Sequence, residues 1–218
     1  MARMSDGSRF IDITQPLSAA LAVWPGDTPV EIRRTVGDVS TVSELRMSSH
    51  VGTHVDAPAH FYRAAATVDQ MSLDALIGPA WVAALPEADC VTASALEQAG
   101  IPADAERLLL ATRNSLTWQR QAATGAHAFD PSFVALDPSA ASWLNRRGIR
   151  LLGIDGPSVD SFDSDGFPVH HALLSAGVVI IENLLMAGVT PGPYRLICLP
   201  LLYEGGDGAP ARVALERI

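Results

Sequence analysis

A chain of 218 residues with 48% hydrophobic and 18% charged residues is long enough to bury one large core unaided and has the composition of an ordinary globular protein. Its formal charge of -9 argues against a nucleic-acid-binding or anionic-membrane surface. The first thirty residues hold Asp6, Arg9, Asp12 and Pro16 without an apolar stretch of signal-peptide length, and no later window is apolar for long enough to span a bilayer, so a single cytoplasmic domain over 1–218 is expected.

Phe10-Ile-Asp-Ile-Thr14 alternates as a short strand before the turn signal Gln15-Pro16. Trp24-Pro25-Gly26-Asp27 reads as a loop, and its indole either caps the core or contacts a ligand. Strands are expected over 30–36 and 42–50, the second delivering the chain into the stretch 50–60.

That stretch carries His50, His54, Asp56 and His60, half of the six histidines plus a carboxylate, all on even numbers. An extended chain would aim them at one side. A helix is disfavoured by Gly52, by the β-branched Val51, Thr53 and Val55, and by Pro58. Four residues of strand span roughly 13 Å, whereas two imidazoles must each approach a zinc to about 2.0–2.1 Å, so the chain must bend between them. Gly52 is the residue able to adopt the φ such a bend requires. A lone histidine would be read as packing; four candidate ligands at this spacing point to a metal site.

Further along, 72–78 reads as a short helix, 81–85 as a buried strand, 92–100 as a helix ending at Gly100 and 107–112 as a strand. The weakly patterned 113–133 reads as loop with local helix, its isolated His127 exposed or locally bonded. In 137–148, Asp137 supplies an N-cap, Pro138 the first turn, Arg146 and Arg147 the last turn and Gly148 the stop, which specifies a helix. A strand follows over 150–155, and then a helix over 168–177, begun by Pro168 and stopped by Gly177. The strand 178–184 is so apolar that Glu182 stands out: buried there, it must be paired or hold a metal, unless it faces solvent or an arginine at the strand end. Two more strands are expected at 194–201 and 211–218. The Gly-rich 204–210 between them lacks a following Gly-Lys-Ser/Thr and is rejected as a phosphate cradle. Strands alternating with helices indicate an α/β domain with a mixed β-sheet core and flanking helices. Cys90 and Cys198 lie in apolar runs and are expected to be buried thiols, with no spacing that supports a disulfide.

His50-Val-Gly-Thr-His54-Val-Asp56-Ala-Pro-Ala-His60 resembles the His-x-Gly-Thr-His-x-Asp-x-Pro-x-His signature of the metal-dependent cyclase family, closest to its bacterial kynurenine formamidase (arylformamidase) branch. The likeness extends to Trp24-Pro-Gly-Asp, Asp155-x-Pro-Ser, His170-His171, Ile181-Glu182-Asn183-Leu184 and Asp207-Gly-x-Pro-x-Arg212. It implies a swivelling β/β/α-like fold, two zinc ions per chain held by residues matching His50, His54, Asp56, His170 and Glu182, proton transfer by His60, substrate contact by Trp24 and a homodimer. Imidazoles and carboxylates without a thiolate suit zinc, with manganese or another divalent ion next. His171 points about 100° away from its neighbour on a helix and reads as packing or as support for the ligands.

The implied reaction is hydrolysis of N-formyl-L-kynurenine to kynurenine and formate. The residues alone reach only amide or lactam hydrolysis at a metal centre. The other readings are a related metal amidohydrolase acting on another aryl amide, imide or lactam, and a metal-binding module without catalysis. A serine hydrolase is excluded by the lack of a Gly-x-Ser-x-Gly elbow.

Overall fold

Apolar runs bounded by Gly, Pro and Asp become strands here, and a computed structural model describes residues 8–124 and 128–218. In chain order the elements are β1 (Phe10–Asp12), β2 (Glu31–Val36), β3 (Thr41–Arg46), β4 (His54–Asp56), α1 (Leu73–Leu76), β5 (Ile77–Leu85), α2 (Ala93–Gln98), β6 (Arg107–Thr112), α3 (Asn114–Thr124), α4 (Pro138–Arg146), β7 (Leu151–Ile154), α5 (Pro168–Ser175), β8 (Val179–Glu182), β9 (Gly192–Pro200) and β10 (Gly208–Arg217). A 3-10 turn at Pro58–His60 follows β4.

The main sheet runs β1-β10-β4-β8-β7-β6-β5-β9, and β9 pairs back onto β10, so the sheet closes on itself. Strands β5 to β8 are mutually parallel and joined through helices, whereas β4, β9 and β10 close the ring antiparallel. This is the mixed sheet that the alternating pattern implies. Successive residues of β6 serve two cores. Leu109 packs inside the closed sheet with Leu151, Ile181, Val82, Leu196 and Val213. Leu108 and Leu110 pack outward against Ala140, Leu144 and Leu173 of α4 and α5. Each fully buried Leu or Ile is worth roughly 1.5–3 kcal/mol relative to exposure, which explains why these strands read as unbroken apolar runs.

The α4 expectation is met in detail, with the Asp137 carboxylate accepting from Ala140 N at 2.9 Å. One reading is sharpened and one changes. The segment 113–133 holds an eleven-residue helix, α3, whose start is fixed by the buried Asp155 carboxylate accepting from Thr112 N, Ser115 N and Ser115 Oγ. Cys90 is exposed, because its run ends at a surface turn, while Cys198 is buried and both thiols are free. His127 lies outside the described residues. Strands β2 and β3 form a separate ribbon, largely exposed on both faces. Among the described residues no helix is long and apolar enough to cross a membrane.

Candidate metal centre

Strands β4 and β8 are antiparallel neighbours with His54 directly opposite Glu182, so the pairing register alone brings two candidate ligands together from opposite ends of the chain. Asp56 lies two residues along the same face of β4, and α5 contributes His170 from outside the sheet. The bend expected at Gly52 is present, with φ +60°, and the lack of a side chain there also leaves room for Leu17 and Leu21, which a Cβ would crowd.

Four of these side chains are almost wholly buried: His54 at 2%, Asp56 at 1%, His170 at 4% and Glu182 at 4% exposure. His54 Nε2 lies 3.4 Å from both Asp56 Oδ1 and Glu182 Oε2. His170 Nε2 lies 3.5 Å from Asp56 Oδ2 and 3.3 Å from Glu182 Oε1. Each imidazole is oriented through its other nitrogen, His54 Nδ1 donating to Gly52 O at 2.8 Å and His170 Nδ1 to Asp160 Oδ2 at 2.7 Å. The Asp160 carboxylate also accepts from the backbone N–H groups of Val169 and His170, anchoring the start of α5. Phe167 before that helix and Asn183 after Glu182 both hold positive φ, at 50° and 58°. Such strain, of order 1–3 kcal/mol each, clusters at functional sites.

Electrostatics tie the four together. Burial opposes charge on His54, but hydrogen bonds to Asp56 and Glu182 outweigh it and lift the imidazole to about 10. Burial likewise opposes charge on His170, and Asp160, Asp56 and Glu182 raise it well above its ordinary value. Burial pushes Asp56 upward, yet His170, His50 and His54 hold it well below the usual carboxylate range. For Glu182, burial and the Asp56 charge are overcome by His170 and His54, for a net lowering. Protons on these imidazoles and a divalent cation compete for the same two carboxylates.

The residues fit a metal on one direct observation. Asp56 Oδ2 is buried and accepts no hydrogen bond, an orphan carboxylate oxygen amid convergent imidazole nitrogens. Ligand atoms from Asp56, His170 and Glu182 lie mutually within 4.8 Å, as do those of His50, His54 and Asp56.

His50 and His60 sit farther out. The His50 ring spans two carboxylates, Nδ1 at 2.8 Å from Asp56 Oδ1 and Nε2 at 3.0 Å from Asp207 Oδ2. Burial lowers its proton affinity, but Asp207 and Asp56 reverse the effect and raise it to about 9. His60 lies at the end of the 3-10 turn with its ring 3.9 Å from that of His50 and its Nδ1 3.7 Å from Asp207 Oδ2. Burial holds this imidazole below its ordinary value, opposed in part by the Asp56 charge. His171 faces away from the centre, its Nδ1 2.9 Å from Tyr62 Oη.

Trp24 lines the cleft above these groups together with Phe61, Ser158 and Phe167, and its ring meets Phe129 and Phe162 at 5.2 and 5.4 Å. A larger concavity of about 600 Å³, against about 250 Å³ here, lies beside Asp12 and Arg212. Its two charges neutralise each other in an ion pair, so the smaller cleft, with its cluster of interacting ionisable groups, is the better candidate.

Sequence reasoning left out Asp27, Asp160 and Asp207 as site residues. Asp27 and Asp207 had a signal available, in the Trp24-Pro-Gly-Asp and Asp207-Gly-x-Pro-x-Arg212 likenesses; Asp160 had none.

Fold and site together define a class: a closed mixed α/β sheet carrying a buried imidazole–carboxylate centre suited to a divalent cation. The chain belongs to the family described as putative cyclase, whose model matches residues 11–161. It is 40% identical to a kynurenine formamidase of Salinibacter ruber over 213 residues, covering 95% of this chain and 97% of the relative. A kynurenine formamidase of Geobacillus thermodenitrificans is 37% identical over 213 residues, with 96% and 98% covered. Among solved structures, a potential metal-dependent hydrolase with cyclase activity superposes with a TM-score of 0.81 at 32% identity, covering 96% of this chain and 98% of the other.

Proposed function

We propose that this chain is a metal-dependent hydrolase that cleaves N-formyl-L-kynurenine to kynurenine and formate. The observation that carries the metal is the orphan Asp56 Oδ2 among His54, His170 and Glu182. The substrate rests on near-full-length similarity to kynurenine formamidases and on an aromatic-walled cleft.

The residues that would hold metal are His50, His54, Asp56, His170 and Glu182. A bound divalent ion supplies Lewis acidity, polarising the formyl carbonyl and making water more nucleophilic at neutral pH. His60 takes a proton from the attacking water and hands it on to the leaving group. As the C–N bond breaks, the aryl amine must gain a proton to leave, and His60 Nε2 is free to give it while Nδ1 faces Asp207. An imidazole held below its ordinary value releases that proton readily. Trp24 and Phe61 flank the aryl ring and exclude water from it.

The same proposal extends to zinc as the ion and to two ions per chain, supported by donor groups that share Asp56. It extends also to a homodimer, because a two-stranded ribbon is marginal alone and β2 and β3 expose Ile32, Val36, Val42 and Leu45. A cytoplasmic address is consistent with two free thiols.

Metal content per chain, measured beside hydrolysis of N-formyl-L-kynurenine, tests the reading. Two ions and turnover lost on chelation and restored by zinc are expected. Full activity in rigorously metal-free protein would overturn it, and a coordinatively closed, inactive zinc would favour the non-catalytic module.

A further inference from the structure

Trp24 and Asp27 are the first and last residues of one turn. Asp27 N donates to Trp24 O at 3.0 Å, with Pro25 and Gly26 (φ +99°) between them. Pro at the second position and a positive-φ glycine at the third make this a type II turn, a rigid device for presenting its end residues. Both side chains line the cleft over the metal centre. The Asp27 carboxylate is half-buried and makes no hydrogen bond or ion pair among the described residues. No arginine is among the described residues lining the cleft, and the chain contains no lysine. An unpaired anion and an indole presented by one turn to the same aromatic-lined cleft form a receptor for an organic ammonium group, which gains charge-assisted hydrogen bonds from the one and cation–π attraction from the other.

We infer that Asp27 is a specificity-determining residue that receives the ammonium group of an aryl formamide substrate. This rests on the reading of the same site as an aryl formamide hydrolase, and it deepens that reading by selecting among such substrates. The ammonium, and not a side-chain carboxylate, is the recognised feature, so an amine lacking the carboxylate should be accepted and an acid lacking the amine should be disfavoured. Asp27 acts on binding, away from the reacting bond.

The test uses three 2-formamidophenyl ketones that differ only in the ketone substituent: aminoethyl, carboxyethyl and methyl. For the wild-type enzyme, kcat/KM for the aminoethyl compound should exceed that for the methyl compound by about tenfold, between the worth of an exposed ion pair and that of a charged hydrogen bond. In Asp27→Asn that ratio should collapse towards one, chiefly through KM. A ratio unchanged in Asp27→Asn, or a wild-type preference for the carboxyethyl compound, would overturn the inference. Calorimetric binding of the aminoethyl aryl ketone product to both proteins supplies a readout that needs no turnover. If no formamide is hydrolysed yet this amine binds about tenfold more weakly to Asp27→Asn, the formamidase reading falls and the ammonium site stands. Equal binding to both proteins sinks the site whatever the enzyme hydrolyses.

Discussion

The two halves of the centre are held in different ways. The inner half, His54, Asp56, His170 and Glu182, sits on β4, α5 and β8, wholly buried, with both imidazoles locked through their second nitrogens. The outer half, His50, His60, Asp207 and Trp24, comes from loops and a 3-10 turn and is partly exposed. Within it, His50 and Asp207 satisfy one another at 3.0 Å. An oriented buried imidazole has little freedom except to bind what lies before it, which suits a ligand. In the outer half His50, held against Asp56, completes the set proposed to hold metal, whereas the more exposed His60 suits proton transfer and rim aromatics suit recognition.

Breaking the inner half should do the most damage. His54→Ala and Glu182→Gln are each expected to lose metal affinity by more than about 10²-fold, beyond the effect of deleting an outer-shell partner, with activity falling in parallel. The glutamine is nearly isosteric but removes the charge from a buried carboxylate that His54 and His170 both face. Metal content per chain after gel filtration provides the check, and a Glu182→Gln protein with wild-type metal and rate would place that carboxylate outside the centre.

His60→Ala separates the halves. It should keep its metal while turnover drops by roughly 10² to 10⁴, the usual worth of a positioned acid or base. Should His60→Ala strip the metal as severely as His54→Ala does, His60 is a ligand and the division between halves fails.

A smaller effect belongs to Asp160, which holds His170 Nδ1 from behind. Asp160→Asn should weaken metal binding by about 10- to 100-fold without abolishing it, because the single Asn Oδ1 can still accept from one of the Val169 and His170 N–H groups that start α5. Competition with a chromogenic chelator would measure the change, and unaltered affinity would reduce Asp160 to a helix anchor.

The contrast between the halves also shows why the sequence revealed some of the site and hid the rest. His50, His54, Asp56 and His60 fall within eleven residues, so local spacing exposed them, and Glu182 was betrayed by an apolar strand around a charge. The bounds of β6 and the caps of α4 were legible because periodicity and capping are local signals. Asp207 meets His50 across 157 residues and Asp160 reaches His170 only through the left-handed turn at Phe167; neither contact shows in local spacing, and only the family likeness at 207–212 marked Asp207. The bounds of helix α3, within a segment that reads as loop with local helix, were hidden because its helix-favouring contact comes from Asp155, forty residues away from Ser115. Closure of the sheet by β9 on β10 is likewise a tertiary event that strand patterns do not encode.

The smallest predicted effect concerns Trp24, where the sequence left a core cap and a ligand contact equally open. The structure places the indole in the cleft and also edge-on to Phe129 and Phe133, at 5.2 and 6.1 Å. Those phenyl rings fix its orientation, so a substrate aryl group meets a wall already ordered, and little side-chain entropy is lost on binding. Trp24→Ala should therefore raise KM for aryl formamides by an amount on the order of the 0.5–1.5 kcal/mol that an aromatic pair adds beyond area burial, about two- to twelvefold. It should leave the KM of a small aliphatic formamide within about twofold, since such a substrate offers no ring to stack. Loss of the phenyl contacts should also lower the melting temperature by a few degrees, which is why stability alone does not discriminate between the roles. The ratio of aryl to alkyl KM does so: a core cap that merely holds the loop would damage both substrates alike, and an unchanged ratio in a destabilised protein would move Trp24 out of the recognition half of the site.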